Sequence, residues 1–292
     1  MVEINFKDEN FPNKLREIDN PPKKIYAIGN VNLLNENLIA IIGSRNNTMY
    51  GEKWTKKFCS ELIKYNLNIV SGMALGIDSI AHKVSIENGN PTIAVLPCGF
   101  ENIYPKENIV LYNKIITGGG LIISEYEPNT KADSKKFLQR NRIVAGISIG
   151  VLVVEAAYRS GTSVTAKLAK AQKKKVFCVP GSLDNKKSVG TNNLIKEGAI
   201  LVNEIEDIIS QYNFLIKVEK ECKNRENLLE EFVLKNNEEK IIYQILSKKE
   251  LSIEQLERLC NIDSSNILRN LTILELRKII KRTSGGKYKT II

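Results

Sequence analysis

The stretch LIAIIGSRNNTMYGEKWTKKFCSELIKYNLNIVSG, residues 38–72, decides the fold. Leu38 to Ile42 is a continuous apolar run that stops at Gly43. Trp54 to Tyr65 has apolar and charged residues spaced as on a one-sided helix, and Asn68 to Val70 is again short and apolar before Ser71-Gly72. Strand, turn, helix and strand follow one another within 35 residues. The same order continues with the apolar runs Thr92 to Leu96, Leu121 to Ser124, Val151 to Val154, Val176 to Val179 and Ala199 to Val202. Amphipathic stretches such as Thr165 to Lys174 lie between them. Apolar, β-branched runs of this length without alternation predict strands buried on both faces. Strands alternating with helices predict an α/β fold with a doubly wound, mostly parallel sheet. Ligands on such sheets sit at the carboxyl ends of the strands.

Outward from this stretch the organisation changes on both sides. Residues 1–36 read as an N-terminal extension packing on the core. They are irregular, carry Pro12, Pro21 and Pro22, and have room for a short helix around Lys14 to Ile18. Residues 37–213 are the α/β domain. Residues 214–237 turn highly charged and lose Ala and Gly, as a linker would. Residues 238–292 read as a winged-helix-like domain. It comprises a helix over Glu238 to Ser247, a second over Ile253 to Cys260 with Ser252 as its cap, and a third over Ser265 to Ile280 capped by Asp263 or Ser264. A basic hairpin, Lys281 to Ile292, turns at Gly285-Gly286. There is no internal repeat and no low-complexity tract.

The 292 residues carry 43 Lys and Arg against 33 Asp and Glu, a net charge of +10. That excess favours a polyanionic partner through counterion release, or simply serves solubility. The cysteines Cys59, Cys98, Cys178, Cys222 and Cys260 are odd in number and form no C-x-x-C pair. This argues against a disulfide framework and a zinc site. Cys98 and Cys178 read as small buried hydrophobes. The N-terminus lacks a signal-peptide core, and no apolar run approaches the length of a membrane span, so the expected compartment is the cytosol.

Catalytic signals are few. His82 is the single histidine, no phosphate-loop motif G-x-x-x-x-G-K-[ST] occurs, and Gly118-Gly119-Gly120 precedes a strand where a dinucleotide fingerprint would follow one. No catalytic residue, metal or cofactor is expected. Four constellations stand out instead. Gly43-Ser44-Arg45-Asn46 lies where a buried strand gives way to a helix. Backbone N–H groups and the helix dipole favour an anion there, and Arg45 can hold phosphate bidentately. The alternative is an ordinary turn with an exposed arginine. Ser71-Gly72-Met73-Ala74 with Gly76-Ile77-Asp78 and Ala81-His82 allows close backbone approach, and His82 reads as a satisfied core residue. Lys135-Lys136-Phe137-Leu138-Gln139-Arg140-Asn141-Arg142 surrounds one aromatic with four cations. That suits single-strand binding by charge and stacking, or a solvated helix face with Phe137 in the core. Glu155 with Ser160-Gly161-Thr162 follows the strand VLVV. Ser160 or Thr162 can cap the next helix, while Glu155 is a structural partner for Arg140 or Arg142, or a catalytic acid.

Taken in order, these constellations resemble the DNA-processing protein A family (DprA, also called Smf). The resemblance extends through Ala94 to Pro105 (AVLPCGFENIYP), Phe137 to Ser148, Val154-Glu155-Ala156, Thr165-Ala166, Val179-Pro180-Gly181 and Gly190 to Ala199. It implies an extended Rossmann-like domain, a homodimer formed through that domain, and a C-terminal winged-helix-like domain. It further implies single-stranded DNA bound in a pocket near Arg45 and the Arg140-Asn141-Arg142 helix, and RecA recombinase loaded onto DNA covered by single-strand-binding protein. The setting is natural transformation and homologous recombination. The expected DNA contacts are Gly43, Ser44, Arg45, Ser71, Gly72, Lys135, Lys136, Phe137, Arg140, Asn141, Arg142, Ser160, Gly161 and Thr162. One departure is Phe137-Leu138 where many relatives have Phe-Pro, which puts the aim of Phe137 in question. Two other readings compete. A nucleotide phosphoribohydrolase would use Glu155 on a ribose bond, but it needs a second acid and a phosphate loop that are not found. A double-strand-specific regulator would use Arg269 and Lys278 on the third winged-helix helix, with Leu268, Leu271 and Leu274 packing behind.

Overall fold

The computed structural model describes residues 1–215, 234, 236–247, 249–260, 262–277, 279–283 and 285–291. They fall into two compact units, Met1–Leu215 and Ile216–Ile292.

The first unit is built on nine strands among the described residues. These are β1 (Val2–Asn5), β2 (Lys24–Gly29), β3 (Leu38–Ile42), β4 (Asn68–Ser71), β5 (Thr92–Leu96), β6 (Leu121–Ser124), β7 (Gly150–Val153), β8 (Lys175–Cys178) and β9 (Ile200–Leu201). Their order in the sheet is β1-β2-β6-β5-β4-β3-β7-β8-β9. All pairings from β6 to β9 are parallel. All five residues of β3 and of β5 are buried. The side chains of β3 alternate between two cores: Leu38, Ala40 and Ile42 enter one, Ile39 and Ile41 the other. Because both faces are covered, the period-two alternation is invisible as polarity, and the run reads as uniformly apolar. Helix α1 (Asn13–Arg16), α5 (Ser134–Ile147) and α6 (Gly161–Ala171) supply Leu15, Ile143, Val144, Ala166 and Ala169 to the first core. Helix α2 (Met49–Lys64), α3 (Ile77–Glu87) and α8 (Glu206–Ile209) supply Phe58, Leu62, Ala81, Val84, Ile208 and Ile209 to the second. Helix α4 (Ile109–Thr117) packs Leu111 and Ile115 beside β5 and β6, and α7 (Val189–Lys196) adds Leu194 to the first core.

The N-terminal segment differs from the irregular extension expected. Strands β1 and β2 pair antiparallel with each other, and β2 pairs antiparallel with β6, so the segment extends the sheet. Lys24 to Gly29 forms a strand because it has two apolar faces: Ile25 and Ala27 join the first core, and Tyr26 and Ile28 pack in a third cluster with Leu111 and Ile115. Gly29, at φ +111, lies against the Gly120 carbonyl, where a Cβ would overlap it.

In the second unit, helices Asn237–Leu246, Ile253–Cys260 and Ser264–Leu276 precede strands β10 (Ile280–Arg282) and β11 (Tyr288–Thr290). They enclose Ile242, Leu246, Leu256, Ile267, Leu271, Leu274 and Tyr288. Asp263 caps the third helix, its carboxylate accepting from the amides of Ser265 and Asn266. That helix ends at Leu276, short of the expected Ile280, which is instead the first residue of β10. Leu251 bridges to Tyr288 and gives the hairpin a third edge. Most of the expected linker, and Lys278, lie outside the described residues. Among the described residues no helix is long and apolar enough to cross a membrane.

Candidate functional site

Chain order reverses direction at β3. From it the chain steps to β4, β5 and β6 on one side, and later to β7, β8 and β9 on the other. Loops at such a switch point diverge, and a crevice opens above the carboxyl ends of the strands. Here that crevice has a volume of about 370 Å³ and is lined from the ends of β3, β4 and β7 and from α5 and α6.

The β3 loop supplies Gly43, Ser44 and Arg45. Gly43 is buried against Ile77, which leaves no space for a Cβ. The Ser44 hydroxyl donates to the Asn46 carbonyl (3.0 Å) and its own carbonyl accepts from Ile77 (3.2 Å), which folds the loop onto the start of α3. Gly76, at φ +78, faces the carbonyls of Ser44 and Arg45, so only glycine fits. With the loop so fixed, the exposed Arg45 guanidinium lies over the Phe137 ring, 4.6 Å from its centroid. Phe137 is in the first turn of α5 and half-buried, so part of its ring faces the crevice. The proline-to-leucine departure therefore leaves Phe137 aimed at the site, and Leu138 joins the lining at 48% exposure.

Below the crevice two opposite charges, Arg140 and Asp78, are buried near one another, each held by backbone groups. The Arg140 guanidinium donates to the carbonyls of Gly72 and Val95, and a Cβ on residue 72 would collide with it. The Asp78 carboxylate accepts from the amides of Gly72 (3.1 Å) and Ala74 (3.4 Å). Burial brings the Arg140 guanidinium down to about 10, opposed by the Asp78 charge, so Arg140 stays cationic at neutral pH. Burial pushes the Asp78 carboxyl up, and Arg140 is the largest influence opposing it. The pair locks the β4 loop, including Met73 at φ +59, beneath the crevice.

On the β7 side, Ser160 caps α6 by accepting from the Ser163 amide (3.4 Å), and the Thr162 hydroxyl donates to the Gly43 carbonyl (3.1 Å). This seam joins the N-terminus of α6, an end with free amides and positive dipole, to the β3 loop. Gly161 and Asn141 complete the polar lining.

Four expected contacts lie elsewhere. Ser71 is buried beneath the crevice, its hydroxyl donating to the Ile41 carbonyl (2.6 Å). The ammonium of Lys136 is 2.5 Å from Asp133, the cap of its own helix, and packs over Tyr126. Arg142 is buried, ion-paired with Glu125 (2.6 Å) and donating to the Asn20 carbonyl (2.9 Å). Lys135 is exposed away from the lining. The four cations around one aromatic thus separate, because successive helical residues point in different directions. The cations at the site are Arg45 and Arg140.

Glu155 also differs from expectation. Its carboxylate is buried and accepts from both the amide and the hydroxyl of Thr48, the N-cap of α2. Gly51 leaves the space it occupies. Its partner is therefore a helix cap; neither Arg140 nor Arg142 pairs with it. His82 is wholly buried beside Thr92 (2.8 Å), and burial drives its imidazole down to about 3, so it is neutral. Among the described residues no three of His, Cys, Asp and Glu converge as a metal set, and Cys59, Cys98, Cys178 and Cys260 are buried free thiols.

Sequence reasoning missed Tyr104. Its ring meets Phe137 edge-on, centroids 5.5 Å apart. The Tyr-Pro pair was visible, but its contact spans 33 positions and leaves no local periodicity.

A family model described as DNA recombination-mediator protein A matches residues 3–213. The chain is 39% identical over 206 residues to Protein Smf of Escherichia coli, covering 70% of this chain and 55% of that protein. It thus spans about half the length of that relative. It is 37% identical to the DNA processing protein DprA of Bacillus subtilis over 209 residues, 71% of this chain and 70% of that one. Among solved structures, DprA from Streptococcus pneumoniae superposes with a TM-score of 0.69 at 37% identity, covering 73% of this chain and 74% of that one. DprA from Helicobacter pylori, whose structure concerns a single-stranded DNA binding mode, gives 0.65 at 34% identity, covering 76% and 97%.

Proposed function

This chain belongs to the DNA recombination-mediator protein A family, and from that premise we propose that its first unit binds single-stranded DNA in the crevice above β3, β4 and β7. The observation that carries the reading is the Arg45 guanidinium seated on the Phe137 ring at the crevice mouth. One group neutralises a phosphate and the other offers a π-face to a base, the pairing that grips a single strand without reading its sequence. The N-terminus of α6 adds amides for a second phosphate oxygen. Arg140 puts a second guanidinium in the floor, beside the Asp78 carboxyl, and a crevice of about 370 Å³ accepts a flexible nucleotide but not a double helix.

The biological setting of this reading is DNA processing in natural transformation and homologous recombination, in the cytoplasm. A homodimer formed through the first unit would protect the strand and hand it to RecA recombinase, displacing single-strand-binding protein. The family's description as a recombination mediator supports this. The second unit is read as a winged-helix-like accessory. No reaction is assigned: Glu155, the acid a phosphoribohydrolase would use, is committed to the α2 cap. Fluorescence anisotropy with a single strand and a duplex of equal length tests the binding. The single strand binds tighter, and equal affinity overturns the reading. RecA assembly on strands covered by single-strand-binding protein tests the loading. The chain accelerates assembly, and an unchanged lag contradicts it.

A further inference from the structure

Beside the first crevice is a second, of about 480 Å³, lined by Glu101, Asn102, Tyr104, Lys106, Ile109 and Lys131 among others. Tyr104 connects the two. Tyr104 is 46% exposed and its ring meets that of Phe137 at 77°, so Phe137 has Arg45 on its face and Tyr104 at its side. Rings in that T-shaped arrangement cannot stack on one and the same base. Each offers its own face. Lys106 and Lys131 are exposed at the rim, and neither has an ion-pair partner among the described residues. Ile109 adds an apolar wall at 43% exposure. Glu101 and Asn102 put a carboxylate and an amide at the same hollow, groups that accept hydrogen bonds from exocyclic amines of bases.

We infer that this hollow is a second nucleotide subsite, continuous with the first across the Arg45–Phe137–Tyr104 series. A neighbouring base stacks on Tyr104, and Lys106 and Lys131 hold the phosphates that flank it. The Glu101 charge is placed to meet a base, whereas the two lysines face the backbone. The strand therefore runs along the carboxyl edge of the sheet from β7 towards β5, over α5. This rests on the reading that the first crevice binds a single strand.

The test is a length series of thymidine and cytidine oligonucleotides, titrated against the wild-type chain and Tyr104→Ala, Tyr104→Phe, Lys106→Gln/Lys131→Gln and Arg45→Ala. As the strand grows long enough to fill both hollows, wild type and Tyr104→Phe gain affinity. Tyr104→Ala loses roughly five- to 150-fold of that gain, the worth of one stacked base. The double lysine variant, whose exposed side chains carry no packing, lowers the slope of log affinity against log salt by about 0.7 per phosphate released. Arg45→Ala weakens strands of every length. If Tyr104→Ala and the double lysine variant match the wild type at every length and salt, the second subsite is wrong. If the wild type binds no single strand, the first crevice fails and the second fails with it. A loss in Tyr104→Ala that Tyr104→Phe shares points to the hydroxyl and also overturns stacking.

Discussion

At the residue scale, the site is a division of labour among arginines that the octapeptide 135–142 does not reveal. Arg140 and Arg142 stand two residues apart in one basic run, yet one is buried on Gly72 and Val95 and the other on Glu125 and Asn20. Only long-range contacts decide which cation meets solvent, so the sequence marks this helix without saying which of its four cations line the crevice. Arg45 was legible because its position between strand and helix is a local feature. Phe137→Ala removes the stacking face and weakens single-strand binding by about 1–3 kcal/mol per base, measured by anisotropy. A drop in Tm with binding intact would assign Phe137 to packing alone. His82 gives a prediction in pH. Its folded value is depressed to about 3, against about 6.5 when unfolded. The unfolded chain therefore takes up the proton first, and stability is complete above about pH 6.5 and declines as pH falls towards 3. The decline from this group is about 1.4 kcal/mol per pH unit in that window. Urea unfolding from pH 4 to 7 should show a shallower pH dependence in His82→Gln than in the wild type. Equal slopes would contradict a buried neutral imidazole.

At the element scale, the strands were legible wherever both faces are apolar and the turns wherever glycine is obligatory, as at Gly43 and Gly76. The N-terminal strands were not, because Pro12, Pro21 and Pro22 punctuate the segment and β1 is mostly exposed. An edge pairing to β6 from more than 90 residues away has no local signature. The third helix of the second unit was drawn too long because Ile279 and Ile280 continue its apolar character; the register with Thr290 makes Ile280 a strand residue. Glu155 belongs to this scale, since it fastens the end of β7 to the start of α2. Glu155→Ala leaves the Thr48 amide and hydroxyl unpaired in a part-buried cap and should cost about 1–3 kcal/mol in chemical denaturation. A catalytic Glu155 would show the opposite profile, with stability kept and free base no longer released from nucleoside monophosphates.

At the scale of the whole molecule, two units each enclose their own core, and the crevice draws every lining residue from the first. A chain ending at Leu215 should unfold cooperatively and bind single strands with the affinity of the full chain; a loss of more than tenfold would place essential contacts in the second unit. The net charge of +10 fits a polyanionic partner or plain solubility alike, and it marks no place on the surface. What places the proposed interface is the reversal of strand order at β3, which gathers three loops above one end of the sheet. The most direct test of that account is the salt dependence of single-strand affinity in the wild type and in Arg45→Ala. The account predicts linear log–log plots, with the variant weaker at every salt concentration and its slope shallower by about 0.7, one phosphate contact. Superimposed plots would show that the strand is held somewhere else.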